Sequence, residues 1–590
     1  MFKRRLWLIP MLTAAVAAVL VIAADRFRDA PLKRPEATDV ERRTETPDAP
    51  IDSPIRFDVA DVGIDFRYFN SADPTTPGAR MFEFTGGGVG VLDYDLDGRP
   101  DLHFTQGCRW PPDPAQREHL DRLYRNLGDR YVDATDAAGI VEPGFSQGLA
   151  CGDFDGDGFS DLYIANIGPN RLFRNNGDGT FNDVTTTSLI SEGTRAEAWT
   201  TSVALADLNS DGLPELFDVN YVEGHDVFDR ICDHEGFPRI CSPTLFEAQP
   251  DRLLLNRGDG RFTDVTAIAG IDGSEGTGLG IAIADFHGTG RLSLFVANDA
   301  RNNHFYLNET QDPGGLPRFA EQAMRNGLAF DREGRAQACM GVAVGDGDGD
   351  GRIDLFVTNY VEESNTLYVQ HDGRLFADDS SRAGLSKPSI PMLGFGTQFL
   401  DADLDGWEDL VVVNGHVDDF THQGYDHLMR PQLFRNLGGR FVELSGDAAG
   451  AYFQQNRLGR GLARLDWNGD GRDEFVVSHL DDQASLLSNS SASVGKSLKF
   501  HLRATHSARD AVGATVIAEA GRKRLVRQLT AGDGYQASNE PALVFGLGDD
   551  EVVDRVTIRW PSGETSGFQH VATGSTWLAI EGRRRLLRLQ

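Results

Sequence analysis

Cysteine is scarce in this chain: Cys108, Cys151, Cys232, Cys241 and Cys339 are the only five in 590 residues. No CxxC or CxxCH occurs, which excludes a dithiol redox motif and a covalent haem attachment. Cys232 and Cys241 bracket a short Gly/Pro loop and form the best disulfide pair. The odd count leaves at least one of Cys108, Cys151 and Cys339 free or paired elsewhere, and sequence alone does not assign them. Positive charge is also short, with 57 Lys and Arg against 89 Asp and Glu and a formal net charge of −32. That balance argues against nucleic acid, since phosphate binding needs clustered Lys and Arg. No HExxH and no Walker A loop is present, and the GKS at 495–497 lacks the earlier glycine. GFSQG at 144–148 fits GxSxG, but Ser146 enters a Gly-rich apolar strand rather than the strand–turn–helix elbow a nucleophile needs.

Long apolar runs are missing after residue 24. Before it, Lys3, Arg4 and Arg5 precede 19 uncharged residues, 6–24. This is a positive n-region followed by an apolar segment, so the chain is expected to be exported to the periplasm or cell exterior. Residues 1–24 read as a signal peptide or an N-terminal membrane anchor. Ala23-Ala24 offers a cleavage site, but Ile22 at the third position back is not small, and residues 6–24 just suffice to span a bilayer. The reading leans to an anchor, with the basic residues on the cytoplasmic side. Membrane contact is expected through this segment only. Residues 25–54, rich in Pro and charge, read as a flexible linker.

What is abundant is glycine, 66 residues, and a repeat. DFDGDGFSDLYIAN, from Asp153, has relatives that begin at Asp93, Asp207, Asp285, Asp346, Asp401 and Asp466, spaced by 54 to 78 residues. A Gly-rich apolar run such as GGGVGVL or GLGIAIA precedes each loop, and an apolar run such as LFVTN follows. Then comes a hairpin of the RLFRNNGDGTFNDVT kind. Four antiparallel strands at this period indicate a β-propeller of seven blades. The last unit lacks an outer strand of the FxDVT type, and RFDVADVGI at 56–64 supplies one that would clasp the ring. The expected fold is all-β: a seven-bladed β-propeller over 55–495, followed by a small β-sandwich-like domain over 496–590.

The loops read D-x-[DN]-x-D-G-x-x-[DE]. Side chains at positions 1, 3, 5 and 9 and the carbonyl at position 7 supply six or seven hard oxygens, which is calcium chemistry. The expected ligands are Asp93, Asp95, Asp97 and Asp101; Asp153, Asp155, Asp157 and Asp161; Asp207, Asn209, Asp211 and Glu215. The later loops add Asp346, Asp348, Asp350 and Asp354; Asp401, Asp403, Asp405 and Asp409; Asp466, Asn468, Asp470 and Glu474. An EF-hand is excluded, because position 12 is apolar (Phe104, Ile164, Phe356) and the flanks are strands. Metal-free Asp/Gly turns would explain one such loop, but not six that keep the same ligand pattern. The fourth loop carries Asp285, His287, Thr289 and Ser293 and is expected to be empty, which leaves about six Ca2+ sites of structural character.

These units resemble the FG-GAP or VCBS-type repeats of integrin α-subunit propellers, calcium loops included. Residues 508–563 resemble the ASPIC/UnbV domain through Val512-Gly513-Ala514, the GDGYQAS run from Gly532, Phe545-Gly546-Leu547-Gly548 and Trp560-Pro561-Ser562-Gly563. The combination resembles the cartilage acidic protein family over about residues 55–585. The resemblance implies calcium binding and an extracytoplasmic location, and no settled activity.

Thirteen residues after each loop begins stand Gln106, Asn166, Asn220, Asn298, Asn359, Asn414 and His479, at strand ends opposite the acidic loops. With Tyr221, Asp299, Tyr360 and His416, the residues Asn166, Asn220, Asn359 and Asn414 form the candidate ligand face, under the two longest loops. Strand capping is the plainer role for most of the Asn residues. The histidines His416, His422 and His427 read as unliganded polar-loop residues rather than a transition-metal site. The favoured function is a calcium-binding module that adheres to a protein or glycan outside the cytoplasm. Its rivals are an enzyme with a site at the channel mouth, using His416, Asp299 or Tyr360, and an assembly factor for secreted proteins. No acid–base or nucleophile pairing is visible, which favours binding over catalysis.

Overall fold

The computed structural model describes residues 53–589 except 74, 77, 190–197, 235, 272–275 and 493. The expected signal or anchor at 1–24, and the linker up to residue 52, lie outside the described residues. Among the described residues no helix is long and apolar enough to cross a membrane.

Each repeat unit folds into one four-stranded antiparallel meander. In the unit of Asp153 the strands are Phe145–Gly152, Asp161–Ile167, Arg171–Asn175 and Phe181–Asp183. The acidic loop joins the first strand to the second, and the Asn-Gly-Asp-Gly turn joins the third to the fourth. The fold is all-β, with seven such sheets among the described residues and helical turns of four residues after most outer strands. In the last sheet the outer strand is Phe57–Val59, with Phe57 opposite Asn489 and Val59 opposite Leu487.

The Gly-rich first strands are explained by how closely they approach each other. A Cβ on Gly148 would stand 2.7 Å from Thr201 O, on Gly280 2.2 Å from Met340 O, and on Gly341 2.2 Å from Phe395 O. On Gly396 it would stand 2.5 Å from Arg460 O, and on Gly461 2.8 Å from Gly87 O. Gly88 meets Gln147 O at 3.0 Å, and in the third unit Ser202 replaces the glycine and donates to Leu279 O at 2.6 Å. These contacts lead from each first strand to the next and back to the first, so the sheets close into a ring. At six of the seven contacts the position is glycine, and at the seventh only the small serine hydroxyl is accommodated, as a donor to the neighbouring backbone. Farther out, apolar residues of neighbouring sheets interlock. Leu92, Leu123, Leu149, Leu162 and Phe173 share one such cluster, each buried side chain contributing about 1.5–3 kcal/mol.

The C-terminal residues form two four-stranded sheets. One contains Ser497–Arg503, Ala542–Gly546 and Ser575–Ile580, and the other Thr515–Ala520, Lys523–Gln528 and Val552–Arg559. They face each other across Leu498, Phe500, Val516, Phe545, Val556 and Trp560. This sandwich does more than lie on or beside the ring. After Gln528 the chain leaves it and enters the channel from the acidic-loop side. Ala531 and Gly532 pair with Ile283 and Ala282, and Ala537 and Ser538 pair parallel with Val89 and Gly90. Between them Gln398 Nε2 donates to Asp533 O at 2.7 Å, and Val344 N–H donates to Asp533 Oδ1 at 3.2 Å. The fully buried Tyr535 donates to Thr85 O at 3.0 Å, with its ring 5.0 Å from that of Phe395. The channel is therefore plugged by GDGYQAS.

Candidate functional site

The acidic loops share one hydrogen-bond plan. In the loop of Asp153, the Asp153 Oδ2 accepts from Gly158 N–H at 2.8 Å and Asp155 Oδ1 from Asp157 N–H at 3.2 Å. Asp157 Oδ1 accepts from Phe159 N–H at 3.0 Å, and Asp161 Oδ2 from Phe154 N–H at 3.0 Å. The same position-1 bond recurs at Gly98, Gly212, Gly290, Gly351, Gly406 and Gly471. Position 4 as well as position 6 is left-handed. It is glycine in four loops but Leu96, Ser210 and Leu404 in the others, at φ of 57°, 61° and 56°. Such backbone is disfavoured for L-residues and is held by the surrounding bonds.

This plan turns carboxylates toward one another. Ligand atoms of Asp93, Asp95 and Asp101 lie within 4.8 Å of one another, as do those of Asp153, Asp155 and Asp161, of Asp346, Asp348 and Asp354, and of Asp401, Asp403 and Asp405. Position 5 stays outside three of these clusters. Asp97, for example, pairs with Arg99 at 3.2 Å. The oxygens Asp93 Oδ1, Asp153 Oδ1, Asp346 Oδ1, Asp466 Oδ1, Glu215 Oε1 and Glu474 Oε1 are buried and have no hydrogen-bond partner. Buried acceptors are normally satisfied. An oxygen-only, multiply anionic set with orphaned atoms fits a hard divalent cation. Burial pushes Asp93 and Asp153 up to about 6, Asp101 to about 8 and Asp161 to about 9.

The fourth loop keeps the turn without the cage. Asp285 uses both oxygens, accepting from Gly290 and Thr289 N–H at 2.6 and 2.8 Å, and Ser293 Oγ accepts from Asn308 N–H at 3.1 Å. Burial lowers the His287 pKa.

A supporting shell was missed in the sequence. The amide that ends each third strand ties the preceding loop to its neighbour: Asn175 Nδ2 donates to Tyr94 O at 2.8 Å, Asn256 to Phe154 O at 2.9 Å and Asn436 to Gly347 O at 2.9 Å. Asn308, Gln370, Asn489 and Asn126 make the corresponding bonds. The signal was present as an amide at the last position of the third strand in all seven units. The C-terminal domain adds a second shell. Asp510 accepts from Asp153 N–H at 2.8 Å, and Glu540 from Asp466 N–H at 2.7 Å. Buried Lys499 stands 3.0 Å from Asp466 and 2.7 Å from Glu540.

On the far side, Asn166, Asn220, Asn359 and Asn414 are buried, and their amides donate to Pro169, Pro250, Ser364 and Arg430 carbonyls. These amides staple their own loops, and Oδ1 of Asn166, Asn359 and Asn414 is buried without a hydrogen-bond partner. His416 is 1% exposed, and its Nδ1 accepts from Asp418 N–H at 3.3 Å. Burial lowers it to about 4, and only its ring edge approaches Tyr360, at 5.5 Å between centroids. Tyr221, Asp299 and Tyr360 do come together, lining a cavity of about 330 Å3. Tyr221 donates to Asp299 Oδ2 at 2.6 Å. The two long loops roof it: one is closed by the Cys232–Cys241 disulfide, with an S–S distance of 2.07 Å, and the other contributes Val417 and Phe420. Cys108 and Cys339 are buried thiols, and Cys151 is a half-buried one.

Comparison with known proteins gives two family-model matches: "ASPIC and UnbV" over residues 504–585, and "FG-GAP-like repeat" over 93–164 and 153–217. Cartilage acidic protein 1 of Homo sapiens is 25% identical over 524 residues, covering 84% of this chain and 71% of that protein. The Mus musculus protein is 26% identical over 491 residues, covering 81% of this chain and 61% of its own length. Among solved structures, a Burkholderia pseudomallei lectin aligns at TM-score 0.41 and 10% identity, covering 69% of this chain and 97% of that one. An Agrocybe aegerita lectin specific for non-reducing terminal N-acetylglucosamine aligns at TM-score 0.35 and 14% identity, covering 68% and 86%.

Proposed function

Because this chain belongs to the cartilage acidic protein-like family of FG-GAP-repeat propellers with a C-terminal ASPIC/UnbV domain, we propose that it is an exported, calcium-loaded binding module. In this reading residues 55–495 form a seven-bladed propeller and 496–590 the domain that plugs it. Its ligand is a protein or glycan met outside the cytoplasm, at the face of Tyr221, Asp299 and Tyr360. The observation that carries the calcium reading is the orphaned carboxylate oxygens, buried against other carboxylates in loops of one geometry. Six loops would hold Ca2+ through positions 1, 3, 5 and 9, and the ion would supply cross-linking charge rather than chemistry. A binding role is favoured over catalysis by the far face itself. Among the described residues there, the titratable side chains pair off as Tyr221–Asp299, Tyr425–Glu362 and Tyr452–His479, while His416 is tied to its own loop, and no three of them are bonded into a relay.

The test is made on the full chain. Metal content is measured, then melting with and without chelator, then binding of the calcium-loaded protein to glycan and envelope-protein arrays. Chelation is expected to lower Tm by on the order of 10 °C, because each site contributes about 2.7 kcal/mol at a hundredfold excess over its Kd. Ca2+ should restore Tm, and the arrays should give saturable hits. A chain that carries no calcium and melts unchanged defeats the metal reading; silent arrays defeat the adhesive one.

A further inference from the structure

Three half-buried polar groups line the far-face cavity with hydrogen-bonding or charge-pairing capacity left over. The Arg239 guanidinium makes no ion pair with a described residue, its Nε is buried without a hydrogen-bond partner, and the group sits 5.6 Å from the Phe420 ring centroid. Asp299 accepts one bond, from Tyr221, and has no cation beside it. The Tyr360 hydroxyl forms no hydrogen bond with any described residue. Arg239 and Asp299 line the same cavity without reaching each other as an ion pair. Apart from Ser242 and Tyr221, the remaining walls, Phe84, Met340, Phe395 and Val417 among them, are apolar. Unpaired charges of opposite sign held apart in an apolar cavity cost folding free energy, and one molecule that meets both would recover it.

We propose that this cavity binds a small zwitterion with an apolar body, of which a free aromatic amino acid is the simplest representative. The carboxylate pairs with Arg239, whose fork accommodates it in bidentate fashion. The ammonium pairs with Asp299, the Tyr360 hydroxyl supplies a further polar contact, and the side chain fills the aromatic floor. The volume, about 330 Å3, falls within the range of small-ligand sites. The Cys232–Cys241 bridge holds the loop that carries Arg239, so the cation is fixed rather than tethered. The proposal rests on the far face being the binding face. It adds a ligand class that a protein or glycan partner does not supply, because a chain end presents only one of the two charges.

The test is calorimetric titration of the full, calcium-loaded chain with L-phenylalanine, phenylalaninamide and N-acetylphenylalanine. The free amino acid should bind ~10-fold or more tighter than either derivative, since each lacks one charged contact. Arg239→Gln should erase the preference over the amide, and Asp299→Asn the preference over the N-acetyl form. Arg239 has no ion-pair partner among the described residues to lose, only its contact with the Phe420 ring, so its variant should melt close to the parent and remains informative if Asp299→Asn does not fold. Binding of N-acetylphenylalanine as tight as phenylalanine would mean a chain-end site and overturn the proposal. So would the absence of binding to any of the three, or an Arg239→Gln chain of unchanged affinity. Array hits alongside such a result would leave the adhesive reading standing and remove this cavity alone.

Discussion

The oxygen at the centre of the metal reading is Asp153 Oδ1, buried and without a hydrogen-bond partner, and its counterpart in the fourth loop, Asp285, has both oxygens in use. Asp207 and Asp401 also accept through both oxygens, so it is the replacement of the other ligands by His287, Thr289 and Ser293 that predicts opposite behaviour for the two equivalent positions. Asp153→Asn should remove one calcium per chain and lower Tm in calcium. In chelator it should not lower Tm, because an amide relieves a charge that burial disfavours. Asp285→Asn should leave the calcium content unchanged. Metal analysis and paired melts of the two variants decide the matter, and equal calcium loss in both would sink the reading. A second residue carries a pH prediction. Burial raises Asp533 in the plug to about 7 from 3.8, against the pull of Arg464 and with a push from Glu408. The folded state therefore keeps a proton that the unfolded chain has lost, and stability falls as pH rises from about 4 to 7. Asp533→Asn should give a shallower decline of Tm over that range. Indistinguishable slopes would assign the pH response to other groups.

At the scale of the element, the first strand of each sheet has to be thin where it meets its neighbour. Gly341→Ala would place a methyl carbon 2.2 Å from Phe395 O, a backbone atom that cannot swing aside. A loss of about 2–3 kcal/mol is expected from overpacking, read by urea unfolding, and an unchanged midpoint would show that the ring has slack. The strands themselves were legible in the sequence because the repeat exposes them several times over: the GLGIAIA run and the LFVTN run keep their places in unit after unit. The outer strand at Phe57–Val59 was legible for the same reason, as a fragment of a motif found at the wrong end of the chain. The Asn of the NxGDGxF piece was read only as a hairpin residue. Its bond from Asn175 to Tyr94 O crosses between units, and contacts between units leave no local spacing to read. The same holds for GDGYQAS, whose partners lie in five different sheets. On the far face the strand-end Asn residues looked like a polar ring because sequence gives position but not burial, and their amides turn back into their own loops.

For the whole molecule, the plug makes two domains into one cooperative body. Tyr535 bonds the Thr85 carbonyl, packs on Phe395 and is fully buried, and the Arg460 guanidinium carbon lies 3.8 Å from the centroid of the same Phe395 ring. Tyr535→Ala should cost about 3–5 kcal/mol, as large aromatic truncations do, and should lower one shared melting transition. Two separate transitions by calorimetry, with only the smaller one moved, would show instead that sandwich and ring unfold independently.

The outer strand of the last sheet precedes the whole ring in sequence, and its partner strand follows nearly all of it: Phe57 pairs with Asn489. The seam is thus a contact between the first and last strands of the ring, and the entropy of closing so long a loop must be met before the pairing rewards it, so closure is expected to be slower than formation of any single sheet.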